Sequence, residues 1–114
     1  MVFDALEVEG ATVLFLTGEL DAASSASVRE RVASLLDAGR RMLVLDLSGV
    51  KQLYTAGMLV LLESHRVAAR RGGRLVCCGA RPFIREILRI TMLDEPLGLQ
   101  MDVDSALDLL RAAS

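Results

Sequence analysis

The chain has 114 residues, 53% of them apolar and 25% charged, with a formal net charge of −2. That balance suits a folded domain with a buried core and argues against disorder. It carries no basic excess that would favour nucleic acid. The longest unbroken apolar run, Met58 to Leu62, is five residues against the roughly 20 needed to cross a bilayer, so no membrane insertion is expected.

The opening MVFDALEVEG has acids but no basic region, unlike a secretory signal, and a cytoplasmic location is expected. Apolar residues alternate loosely from Val2 to Val8, and Glu9-Gly10 turns the chain into ATVLFL. This pattern predicts a β-hairpin with strands over 2–8 and 11–16. Thr17 to Asp21 reads as a loop. Serines 24, 25 and 27 open a helix whose apolar positions Val28, Val32, Leu35 and Leu36 repeat at helical spacing. Gly39 ends it.

Met42 to Leu47 is nearly continuous in apolar residues, as expected of a strand buried on both faces. A helix over about 55–71 follows, closed by Arg70, Arg71 and Gly72-Gly73. Arg74 to Cys78 is the next strand. Pro82 suits the first turn of a third helix marked by Phe83, Ile84, Ile87, Leu88 and Thr91. Leu97 to Met101 reads as a short last strand, and Asp102 or Asp104 caps a terminal helix.

The expected order is ββαβαβαβα: an α/β fold, one domain over residues 1–114, with a mixed five-stranded sheet and about four helices.

Chemistry for catalysis is sparse. The single histidine, His65, lies well inside a helix, and no nucleophile elbow or phosphate-binding glycine loop is present. Adjacent Cys77 and Cys78 point to opposite faces of a strand and read as small buried hydrophobes. Asp21 and Asp46 could approach each other if their strands are neighbours. They offer two carboxylates without a third metal ligand. No cofactor is expected, and an enzyme or nucleotide binder built on that pair is the outlying reading.

Function in an open α/β sheet gathers beyond the carboxyl ends of the parallel strands. Two segments meet there: Gly18 to Asp21, and Ser48 to Gly57. Thr55 opens the second helix. Its hydroxyl could cap the helix by accepting from the Gly57 or Met58 amide, or it could carry a phosphate at the positive end of the dipole.

The segments LTGELDAASSASVRERVASLLDAGRRMLVLDLSGVKQL and RRGGRLVCCGARPFIREILRITML resemble the STAS domain, specifically bacterial anti-sigma factor antagonists, over almost the whole chain. The resemblance implies a protein without catalysis of its own. It would bind an anti-sigma factor that is also a serine/threonine kinase, so that sigma factor is released. Phosphorylation by that kinase would end the complex, and a phosphatase would reset it.

The family's Asp-Ser-Ser/Thr-Gly-Leu turn falls on Tyr54, Thr55, Ala56, Gly57 and Met58, which makes Thr55 the implied acceptor. Glu19, Asp21, Ser24, Asp46, Ser48, Tyr54, Gly57 and Met58 are the implied partner-binding residues, with Asp21 and Asp46 flanking the acceptor. Tyr54 replaces the family's aspartate, Ala56 its second hydroxyl, and Met92 a glycine common in a later turn. The alternative is a STAS-type binding or scaffold subunit without phospho-switching, including a transporter accessory subunit.

Overall fold

The computed structural model describes residues 1–112. Strands β1 (Val2–Val8) and β2 (Ala11–Leu20) form the expected hairpin. Helix α1 (Ala22–Asp37), strand β3 (Met42–Leu53), helix α2 (Thr55–Arg70) and strand β4 (Arg74–Cys78) follow. Helices α3 (Pro82–Ile90) and α4 (Val103–Ala112) complete the order ββαβαβαα. The sheet runs β1-β2-β3-β4, antiparallel at the first pair and parallel across the other two.

The sheet has four strands, not five. Residues 97–101 do cross the outer edge of β4, where Cys77 donates to the Leu97 carbonyl and accepts from the Gln100 amide. Among the described residues the only bridge they make is Cys78 with Gln100. Gly98, at φ 59°, turns the chain out of extended geometry, and Pro96 has no amide to give.

Strand alternation sorts the core into two layers. Leu14, Leu16, Leu43, Leu45, Leu75 and Cys77 face α1, α2 and α3, packing with Val28, Val32, Val60, Leu61, Ile84 and Leu88. Val13, Val44, Val76 and Cys78 face the other way, against Ala106, Leu107 and Leu110 of α4. The two cysteines are free and buried on opposite faces, as their adjacency requires. Burial pushes both thiols up, Cys78 to about 12, so neither is a nucleophile at neutral pH.

Two strands run longer than their apolar cores. Residues 17–20 extend β2 rather than forming a loop, and β3 continues through Ser48 to Leu53. Their parallel pairing persists from Ala11↔Met42 to Leu20↔Leu53, with register breaks at Phe15/Thr17 and Gly18/Glu19. Polar residues are tolerated there because Ser48, Lys51 and Gln52 are exposed, while the register shift that leaves Lys51 as an extra residue on β3 lets Val50 and Leu53 both be buried.

Candidate functional site

The ends of β2 and β3 lie side by side, and α1 and α2 start directly from them. The Tyr54 amide donates to the Leu20 carbonyl at 3.1 Å, tying the two exits together. Gly57, in the first turn of α2, packs against the Leu20 backbone. Met58 is half-buried against the main core and presents little free surface. An ion pair between Arg29 and Glu63, at 2.6 Å, joins the two helices farther along. It holds the Glu63 carboxyl below its usual range and the Arg29 guanidinium above its own, mainly through their mutual hydrogen bond.

Helix α1 is capped by Asp21, whose Oδ1 accepts from the Ser24 amide at 3.0 Å, while Ser24 Oγ accepts from the Asp21 amide at 2.9 Å. This reciprocal box satisfies two amides that a helix start otherwise leaves open. Ser24 Oγ also donates to the Glu19 carbonyl at 2.7 Å, fastening the helix to the last turn of strand before it. The Ser24 backbone bond, followed by its hydroxyl, holds the Asp21 carboxyl below the ordinary carboxylate range. Asp21 is therefore a fixed negative charge at neutral pH.

Helix α2 starts differently. Its N-cap is Tyr54, which makes no side-chain cap bond. Thr55 is the first helical residue, one position too late to cap, so the reading of its hydroxyl as a cap is corrected. The side chain is exposed, and no hydrogen bond ties it to any other described residue. Tyr54 is 48% exposed and Leu59, one turn beyond Thr55 on the outer face, is 60% exposed. The result is a small apolar patch around a free hydroxyl at a helix start with open amides.

Glu19, Asp21, Ser24, Tyr54, Thr55, Gly57 and Met58 are thus brought to one end of the sheet. Asp46 and Ser48 are not. Asp46 pairs with Phe15 and Cys78 in register, and β3 runs on from it to Leu53. At about 3.3 Å per residue this places Asp46 on the order of 20 Å from the Leu20–Tyr54 junction. The expectation that Asp21 and Asp46 approach each other, or jointly flank Thr55, is therefore overturned.

Asp46 has local work instead. It is buried at 7% exposure, and its Oδ1 accepts from the Ser48 amide at 2.9 Å and the Ser48 hydroxyl at 2.6 Å. The Ser48 carbonyl in turn accepts from Arg81 at the start of α3. Among the described residues no cluster of three or more His, Cys, Asp or Glu side chains is placed to hold a metal ion. His65 donates from Nδ1 to the Leu75 carbonyl at 2.7 Å, a bond between α2 and β4.

Leu59 is the site residue that sequence reasoning missed, absorbed into the apolar run from Met58 to Leu62. Its position was readable: residues 55, 59 and 62 share a helix face offset from the buried set Gly57, Val60, Leu61, Ser64 and Ala68.

Comparison with known proteins agrees with this fold. The STAS domain family matches residues 3–106. BtrV of Bordetella bronchiseptica, a candidate anti-sigma factor antagonist, is 28% identical over 85 residues, covering 75% of this chain and 73% of that protein. The crystal structure of a candidate anti-sigma factor antagonist from Thermotoga maritima gives a TM-score of 0.87 at 19% identity, covering 96% of this chain and 94% of that one. The Bacillus cell fate determinant SpoIIAA, solved in a phosphorylated form, gives 0.70 at 18% identity, covering 94% and 97%. At such identities the structural likenesses speak to fold.

Among the described residues no helix is long and apolar enough to cross a membrane.

Proposed function

As this chain belongs to the STAS domain family, we propose that it is an anti-sigma factor antagonist. It binds an anti-sigma factor of the serine/threonine kinase type, in the cytoplasm, through the starts of α1 and α2. Thr55 is the phosphoacceptor. The observation that carries this reading is the free, exposed Thr55 hydroxyl at the first position of α2, beside exposed Tyr54 and Leu59.

A phosphate there adds about −1.5 to −2 charges at pH 7. Open amides at the start of α2 accept it locally. It also sets a dense charge inside an apolar contact patch and near the Asp21 carboxylate. A partner seated on that patch would have to bury this charge, which opposes the complex. The chain's own residues perform no bond-breaking step in this scheme: they present a hydroxyl, shape the surface around it and respond to its charge. A phosphatase returns the surface to its neutral state. The likeness to SpoIIAA, which has a phosphorylated form, and the naming of BtrV support the reading.

The test is incubation of the purified chain with ATP and its cognate kinase, followed by intact-mass and peptide analysis. One phosphate, located on Thr55, is expected. An unmodified chain beside an active kinase control overturns the switch.

Tyr54 favours a second reading. It puts an aromatic where the family has a carboxylate, leaving no acid beside Thr55 in sequence to orient a kinase. In that case the same surface binds constitutively, and the chain is a scaffold or accessory subunit with Thr55 unmodified in its host.

A further inference from the structure

The two edges of the sheet are treated differently. The outer edge of β4 is covered by residues 97–101 through the bonds at Cys77 and Gly79. The outer edge of β1 pairs with nothing among the described residues. An open edge is a template for another strand unless charged side chains, proline, a bulge or a covering segment blocks it. The β1 sequence VFDALEV has no proline, pairs without a bulge and carries two charges, Asp4 and Glu7, whose placement sets the register.

The hairpin fixes which backbone groups face outward. Glu9 and Gly10, at φ 49° and 87°, form a two-residue turn of the kind that suits a twisted hairpin. The flanking residues Val8 and Ala11 then exchange both their hydrogen bonds, and such pairs alternate along the ladder. With Leu6 opposite Val13, Asp4 opposite Phe15 and Val2 opposite Thr17, the even residues of β1 bond inward to β2. Phe3, Ala5 and Glu7 direct their amides and carbonyls outward.

We propose that this edge pairs with a second copy of the same chain, antiparallel, about a two-fold axis through Ala5. Ala5 then faces the partner's Ala5, Phe3 faces the partner's Glu7, and Glu7 faces the partner's Phe3. Each pair exchanges two bonds, giving roughly six in all and joining the two sheets into one.

Side chains favour this register over its neighbours. Glu7 accepts from Thr12 Oγ1 at 2.7 Å and pairs with Arg40 at 3.4 Å within its own copy. Arg31 stands over the Phe3 ring, 5.3 Å from its centroid, so across the two-fold each Glu7 gains a second cation. Val2, which is exposed in one copy, meets the partner's Val8. Moving the axis to Asp4 would oppose that carboxylate to the partner's Asp4, and moving it to Leu6 removes the pairing of Phe3.

Sedimentation of the full chain over a range of concentrations tests the pairing. The apparent mass is expected to double as concentration rises. Ala5→Pro removes an outward amide at an edge position where proline is tolerated. It should keep the circular dichroism spectrum and remain a monomer. Ala5→Cys places two thiols on the axis, at a Cα separation of about 5.5 Å that a disulfide can span, and mild oxidation should yield a covalent dimer. Val2→Cys, whose copies are separated by roughly 20 Å, should not cross-link. A wild-type chain that stays monomeric throughout, an Ala5→Pro chain that dimerises equally, or cross-linking through Val2→Cys in preference to Ala5→Cys overturns the proposal.

Discussion

Gly57 lies so close to Leu20 that an added Cβ would sit 2.4 Å from the Leu20 carbonyl oxygen and 2.7 Å from its Cγ. The same carbonyl accepts the Tyr54 amide. One backbone oxygen therefore fixes both the exit of β3 and the first turn of α2. Gly57→Ala should cost about 1–3 kcal/mol by overpacking, read as a lower urea midpoint with an unchanged slope. Because the oxygen cannot yield as a flexible side chain would, α2 must shift, and partner affinity should fall as well. An unchanged midpoint would show that the approach is looser than described.

Removing the Ser24 hydroxyl tests the start of α1. Ser24→Ala loses the bond to Glu19 and half of the capping box, at a cost of about 1–2 kcal/mol.

The same site gives a pH signature. The folded Asp21 carboxyl titrates below the unfolded one because Ser24 bonds the charged form. Its contribution is thus fully present above the unfolded value and is lost as pH falls through the folded one. In acid titrations followed by circular dichroism, Asp21→Asn should flatten that part of the stability profile and leave stability between pH 6 and 8 without a new slope.

At the surface, Thr55→Ala should leave the affinity for the partner within about threefold, because the hydroxyl has no structural bond to lose. Thr55→Glu should weaken it by roughly tenfold or more, or about 1.4 kcal/mol. Tyr54→Ala should weaken binding by about 1–2 kcal/mol as loss of an aromatic anchor, with thermal stability unchanged because Tyr54 makes no cap bond. Equal binding by the Thr55→Glu and wild-type proteins in calorimetry would exclude Thr55 from the contact surface.

Met92 follows the end of α3 with φ 60° and is 80% exposed. The left-handed region costs a side-chain-bearing residue roughly 1–2 kcal/mol, and glycine returns about 0.4–1 kcal/mol of that as unfolded-state entropy. Met92→Gly should therefore stabilise the chain by about 0.5–1 kcal/mol, a rise in Tm of a few degrees. A fall in Tm would mean that the exposed methionine side chain makes a contact worth more than the backbone strain.

Much of the fold was legible in the sequence. The hairpin turn, all four helices and the strands β1 and β4 fell where alternation, helical spacing and glycine stops put them. The phantom fifth strand at 97–101 had the right apolar content, but the left-handed Gly98 limits it to a single bridge. The ends of β2 and β3 were misread for the opposite reason. Thr17, Gly18 and Glu19 have the composition of a loop, yet parallel pairing holds them extended.

What the sequence determined by itself is the set of local choices: which residues bend, which alternate, which repeat every three or four, and the order of the elements. Those follow from backbone sterics and from the periods of strand and helix, which act within a few residues. Only the tertiary structure decided which of the marked residues meet. It set the starts of α1 and α2 side by side through the Leu20–Tyr54 bond, left Asp46 in the middle of a long strand seven residues before its end, and brought Leu59 into the patch. These outcomes depend on strand register and on where a helix leaves its strand, and both are set by packing between segments distant in the chain.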